Sequence, residues 1–202
     1  MDLIVLSSPE AIEKEAQIVN VLFEEGLSVF HCRKPQWSAD QVAELIQAIA
    51  LPYRSQITIH QHHELAEELG LQRLHYTEAN RKTVSQTELS LHRQKDITLS
   101  TSLHQLSDYN TTAQQFDYVF YGPVFNSISK QGYTAVVSND FRLPPRQSTQ
   151  AKRIGLGGID ETNIHQAAAY GFEGVAVLGT LWTEPQKAVQ RFRSLKHITD
   201  TY

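Results

Sequence analysis

The feature that most limits how this chain can fold is a rhythm. Short apolar runs, each ending in glycine or polar residues and each followed by helical sequence, return about every 25 residues. The runs are 3–6, 27–32, 57–60, 73–76, 97–102, 117–121, 153–156 and 174–178. Helical spacing of apolar residues fills 9–23, the stretch from Ser38 to near Pro52, and then 63–69, 83–92, 103–116, 161–170 and 184–198. Start and stop signals sit at the joints: Ser8 before Pro9, Ser38 as an N-cap, Asp160 placed to cap the helix after the seventh run, and Gly26, Gly70 and Gly171 as stops. Eight such units predict one domain, a (β/α)8 barrel of parallel strands at the low end of its size range; a doubly wound open sheet is the alternative. Placement favours the barrel. The polar and glycine features fall at the C-terminal ends of runs two, three, five, six, seven and eight, and a closed ring brings those ends to one rim.

Composition excludes several classes of function. With 202 residues, 41% hydrophobic and 20% charged, the chain suits a single soluble domain with a sizeable core. The net charge of −4 and the lack of any Lys/Arg-rich tract argue against a nucleic-acid surface or an anionic membrane. An acid, Asp2, stands where a signal peptide carries basic residues, and the apolar stretch after it is too short to span a bilayer, so a cytoplasmic protein is expected. The one cysteine, Cys32, rules out an internal disulfide and lies in an apolar run, which predicts a buried thiol.

Three stretches carry chemistry. The sixth run breaks at Gly122-Pro123 and is followed by Ser127, Ser129 and Lys130, hydroxyls and a cation that suit an anion. The seventh ends in Gly157-Gly158, and the eighth in Leu178-Gly179-Thr180. Successive strands ending in glycine turns before helices suit a phosphate, because backbone N–H groups approach it closely only where no Cβ intervenes. The cluster His60-Gln61-His62-His63 invites a metal reading, but neighbours on a strand face opposite ways, so at most His60 and His62 share a face. Lys34 reads as solvated, and Glu64, Glu67 and Glu68 as an exposed helical face. Trp182 and Phe125 read as rim packing.

Taken in order, Arg33 after an apolar strand, Ser102-Leu-His104, Gly122-Pro-Val-Phe-Asn-Ser-Ile-Ser-Lys130, Gly157-Gly-Ile159 with Asn163, and Gly174-Val-Ala-Val-Leu-Gly179 resemble the motifs of thiamine-phosphate synthases and their relatives, the thiazole tautomerases. The resemblance runs from about Leu3 to Trp182 and implies a (β/α)8 barrel, commonly a homodimer, that acts on small phosphorylated substrates. In it, a pyrimidine diphosphate loses pyrophosphate and is captured by a thiazole phosphate. By the same resemblance, Arg33, Ser102 and Lys130 are the catalytic candidates. His31, His60, Gln61, Asn80, Ser127, Ser129, Gly157, Gly158, Leu178 and Gly179 are the substrate-binding ones. The synthases hold Mg2+ on an Asn-Asp pair after strand three and an Asp after strand four. Here those positions are His60, Gln61 and Asn80, which removes the charged oxygens a hard cation needs. The position of the tautomerase histidine is Pro123. An active synthase is the leading expectation, with His60, His62 or His75 partly replacing the acids by donating protons or hydrogen bonds to pyrophosphate; a tautomerase-like enzyme or a non-catalytic binder of thiazole or thiamine phosphates are the alternatives.

Overall fold

A computed structural model describes residues 1–126 and 141–202. Eight strands form a closed parallel barrel in chain order: β1 (Asp2–Leu6), β2 (Val29–Cys32), β3 (Ile57–Ile59), β4 (Arg73–Tyr76), β5 (Thr98–Leu103), β6 (Tyr118–Tyr121), β7 (Lys152–Leu156) and β8 (Gly174–Val177). The ring is sealed by β1 against β8, with Asp2 beside Gly174 and Val5 beside Val177. The (β/α)8 expectation holds, and the open sheet is excluded.

Around the barrel stand α1 (Glu15–Glu24), α2 (Ala39–Gln47), α3 (Leu65–Leu69), α4 (Glu78–Thr83), α5 (Gln86–Gln94), α6 (Tyr109–Thr112), α7 (Ile164–Ala169), α8 (Gly179–Trp182) and α9 (Ala188–Thr199). None among the described residues is long and apolar enough to cross a membrane. Ser38 caps α2 in a full capping box with Gln41, as its sequence predicts. Several boundaries differ from expectation for local reasons. Ser8 does not cap α1; its hydroxyl accepts from Glu10 N–H, and the helix begins only after Lys14 in a left-handed conformation. The expected helix 83–92 is α5, which begins three residues later because Ser85 caps it through Glu88 N–H, and α4 is a separate short helix before it. The expected helix 103–116 shrinks to a 3-10 turn and α6. Asp160 closes a turn onto Thr162 and leaves Asn163 at the N-cap position of α7.

Strand alternation sorts the side chains into two sets. Leu3, Val5, Phe30, Cys32, Val175 and Val177 point outward and join the helices in the larger core. Ile4, Leu6, Val29, Tyr118, Phe120, Ile154 and Ala176 point inward and form a smaller cluster on the axis. Those inner residues come mostly from β6, β7, β8 and β1, so one side of the barrel interior is apolar.

Lys34, expected to be solvated, is fully buried. Its ammonium lies 2.5 Å from Glu15 Oε2, donates to Glu10 O at 2.9 Å and sits 4.5 Å from the Trp37 ring centre. Burial raises the Glu15 carboxyl above its usual range against the pull of Lys34. The pair therefore pins the irregular segment before α1 to the end of β2. Truncating one partner strands a buried charge, so Lys34→Ala is expected to cost about 3–5 kcal/mol in urea unfolding, while Lys34→Met combined with Glu15→Leu recovers most of it.

Burial also pushes the Cys32 thiol up to about 12. In the folded protein Cys32 is expected to resist a thiol reagent at pH 8 and to react fully once unfolded; labelling at equal rates in both states would place it at the surface.

Candidate functional site

The polar residues missing from the apolar side all come from β2 to β6. His31, Thr58, His60, His75 and Ser100 are buried, with Ser102 half-buried at the end of β5. Register brings them together, since His31 lies beside Thr58, and His75 beside Ser100, which lies beside Tyr118. His31 Nδ1 is 2.9 Å from His60 Nε2, and His31 Nε2 is 2.7 Å from the Tyr118 hydroxyl. His75 Nδ1 is 2.9 Å from Ser100 Oγ and His75 Nε2 is 3.0 Å from Ser102 Oγ. The His60 and His75 rings stack at 4.0 Å.

Proton placement follows from these contacts. Ser100 donates to Leu74 O at 3.3 Å, so it accepts from His75 Nδ1–H. His75 Nε2 is then an acceptor, and the Ser102 hydroxyl donates to it. Ser102 thus spends its one proton inside the protein and offers only lone pairs outward.

One ring nitrogen from each of His31, His60 and His75 lies within 4.8 Å of the others, spacing that could hold a metal ion. Five of the six ring nitrogens already have hydrogen-bond partners, however, and no carboxylate among the described residues joins the group. Arg33 and Arg73 act electrostatically on the same rings. The cluster is organised as a hydrogen-bond network.

The sequence candidates divide. Arg33 is held at the end of β2 by paired bonds between its backbone and Ser7 Oγ at 2.8 and 3.0 Å, and its charge acts on His60 and His75. Gln61 donates its amide to Lys34 O, which ties it to the end of β2. His31 is fully buried beneath His60, with both nitrogens occupied. His62 does not share a strand face with His60: it lies past the end of β3 at φ 58° and bonds Trp37 O. Asn80 lines a hollow of about 260 Å³ with His63, Tyr76 and Glu88, on the side of β4 that Tyr76 faces, opposite to His75. Ser127, Ser129 and Lys130 lie outside the described residues.

The glycine turns meet. Gly157 at φ 96° and Gly158 at φ 68° adopt left-handed backbone, and a Cβ on Gly158 would fall 2.7 Å from the carbonyls of Phe125 and Asn126. Thr180, beside Gly179 at the start of α8, donates its hydroxyl to Ile159 O, which clamps the β7 turn to the β8 turn and spends the group that a phosphate would use. Leu178 precedes them, half-buried. Trp182 packs as expected, its indole N–H on Leu6 O at 2.6 Å.

Sequence reasoning offered His75 beside His60 and His62 as a replacement for the lost acids but missed Tyr118, Ser100, Thr58 and Arg73. A signal existed: in Arg73-Leu-His-Tyr76 and Thr98-Leu-Ser-Thr-Ser102 every second residue is polar, the pattern of a strand with a polar inner face.

Burial lowers His31 and His60 well below the usual imidazole range and His75 to about 3, with Arg33, Arg73 and neighbouring imidazoles adding to the effect. Unfolded histidines take up protons near pH 6.5 while the folded ones do not. Stability is therefore full above that pH and is lost as pH falls toward about 3, by about 1.4 kcal/mol per pH unit for each histidine, or about 4 for the three. Urea unfolding at stepped pH checks this; a flat profile from pH 7 to pH 5 would mean the cluster accepts protons while folded.

Comparison with known proteins adds a consistent picture. Residues 3–181 match the sequence model of the family described as thiamine monophosphate synthase. Among curated proteins, the thiamine-phosphate synthase of Staphylococcus haemolyticus is 26% identical over 173 residues, covering 82% of this chain and 80% of its own. That of Lactococcus lactis is 25% identical over 195 residues, covering 91% and 87%. Among solved structures, thiamine phosphate pyrophosphorylase from Bacteroides thetaiotaomicron superposes with a TM-score of 0.76 at 28% identity, covering 99% of this chain and 98% of that one. Thiamine phosphate pyrophosphorylase from Pyrococcus furiosus reaches 0.75 at 13% identity, covering 99% of this chain and 96% of that one, a likeness of fold.

Proposed function

Because the chain belongs to the thiamine monophosphate synthase family, we propose that it joins a hydroxymethylpyrimidine diphosphate to a thiazole phosphate with release of pyrophosphate. What supports this reading is one juxtaposition on the C-terminal rim of the barrel. Arg33, His60 and Ser102 come from β2, β3 and β5, and the glycine turns of β7 and β8 close the far side.

The chemistry asks little covalent work of the protein. The carbon–oxygen bond to the diphosphate breaks, its electron pair leaves on the oxygen, and the aminopyrimidine ring stabilises the carbocation. The thiazole nitrogen then attacks that carbon. The protein must hold the leaving group, exclude water and fix the nitrogen nearby. Arg33 clamps diphosphate oxygens through its planar fork. Main-chain N–H groups at Gly157, Gly158, Leu178 and Gly179 cradle the thiazole phosphate. Lys130, Ser127 and Ser129 take their roles from the motif alone.

Mg2+ has no step in this reading. His60, Gln61 and Asn80 present no carboxylate, only an imidazole and two neutral amides. The donor set does not fit a hard dication, so N–H donors meet the phosphoryl charge directly. Assembly as a homodimer belongs to the same proposal. A second reading, a binder of thiazole phosphate without pyrimidine chemistry, draws on the buried His31 and His60 that fill the pyrimidine side.

Mixing the two substrates with the purified protein is expected to give thiamine phosphate and pyrophosphate. Arg33→Ala should lower kcat/KM for the diphosphate by about 100-fold, and adding Mg2+ should change the rate by less than about twofold. Thiazole phosphate binding without any product selects the binder; strict dependence on Mg2+ overturns the donor-set argument.

A further inference from the structure

We propose that Tyr118, His31 and His60 form a directed hydrogen-bond chain that fixes the His60 proton on Nδ1, and that this N–H donates to an oxygen of the leaving diphosphate; the last step rests on the function proposed above. The direction is set from below. The Arg73 guanidinium, its carbon 6.0 Å from the Tyr118 ring centre, acts on the hydroxyl with a positive charge, which favours lone pairs and not a proton on the side that faces it. The phenol must send its own proton elsewhere. Thr58 Oγ1 stands at 3.3 Å and His31 Nε2 at 2.7 Å, so the shorter contact takes it.

His31 Nε2 is then an acceptor, its proton lies on Nδ1, and that N–H donates to His60 Nε2 at 2.9 Å. A neutral His60 that accepts at Nε2 carries its proton on Nδ1. That atom is buried and, among the described residues, is the one ring nitrogen of the three histidines without a partner. A buried N–H with no acceptor costs its full desolvation and is rare, so an acceptor supplied by a ligand is its natural complement. Position agrees with this. His31 lies beside Thr58 in the ring and His60 is two residues nearer the rim, with Nε2 turned to His31 and the charge of Arg33 acting on the ring.

When the carbon–oxygen bond breaks, its electron pair gathers on the diphosphate oxygen. A fixed N–H beside Arg33 meets that growing charge and needs no reorientation. No proton changes owner; His60 stays neutral and is a catalytic residue by contact. His31 and Tyr118 are positioning residues, because they set which His60 nitrogen is the donor.

Imidazole nitrogen NMR on 15N-labelled protein tests this, with inorganic pyrophosphate alone as the probe in the absence of Mg2+. The His60 signals, assigned by their loss in His60→Gln, are expected to show the Nδ1–H tautomer and to shift as pyrophosphate is added. Tyr118→Phe should mix in the Nε2–H tautomer. In turnover, His60→Leu should lose at least about tenfold in kcat with the KM for thiazole phosphate unchanged, and His60→Gln, which keeps an N–H donor, should recover part of that loss. An Nε2–H tautomer, or wild-type turnover in His60→Leu, overturns the proposal; if His60→Leu does not fold, the wild-type spectrum decides alone. A pyrophosphate shift at His60 without thiamine phosphate synthesis upholds the chain and anion contact and rejects the reaction. Synthesis with the wrong tautomer does the reverse.

Discussion

Ring closure between β1 and β8 is the constraint on which the rest of the molecule depends. Four residues of β1, Asp2 to Val5, lie beside Gly174 to Val177, and with that seam made every strand has two neighbours and no edge remains. Closure fixes which of two adjacent residues faces the axis, and so decides chemistry one residue at a time. Arg33 and Lys34 show the result. Arg33 acts on the inward His60 and His75, while Lys34 turns outward into the pair with Glu15. Two neighbouring cations thus have unrelated work, one at the mouth and one holding the entry to α1.

The interior then has to solve a solvation problem. One side is Ile4, Leu6, Phe120, Ile154 and Ala176, which ask nothing of their neighbours. The other side buries three imidazoles, two hydroxyls and a phenol, and each must be satisfied where it stands. Mutual hydrogen bonding does this with neutral groups: His75 spans Ser100 and Ser102, and His31 spans His60 and Tyr118. The lowered basicity of these rings follows from the same burial, since a charge among them would have neither water nor a carboxylate partner.

Sequence made the barrel legible because its signals are local and repeated: each strand is a short apolar run, each helix has a period, and glycines mark the joints. The glycine turns at Gly157 and Gly179 were legible for the same reason. Helix starts were less so, since Ser8 and Asp160 each found a nearer backbone partner than the expected helix. The histidine network was hidden. His31, His60 and His75 lie on three strands, and nothing in His60-Gln61-His62-His63 says that the partners of His60 are 29 residues before it and 15 after it. Lys34 misled in the opposite sense: a lysine beside Pro35 reads as solvated until packing supplies Glu15 and Trp37.

A neutral network also changes what the mouth can recognise. Carboxylates that hold a metal present a phosphoryl group with a cation; imidazole N–H and guanidinium groups present it with donors fixed to the frame. Among the described residues that act on His60 and His75, Arg33 carries the permanent charge at the rim. Arg73, at the other end of β4, adds a second positive charge from below and sends its influence upward through Tyr118 and His31. In the proposed reaction, the chain from Arg73 to His60 works as a single polarised unit whose far end meets the departing oxygen. Its strength depends on all members being in register, and that register is set by ring closure.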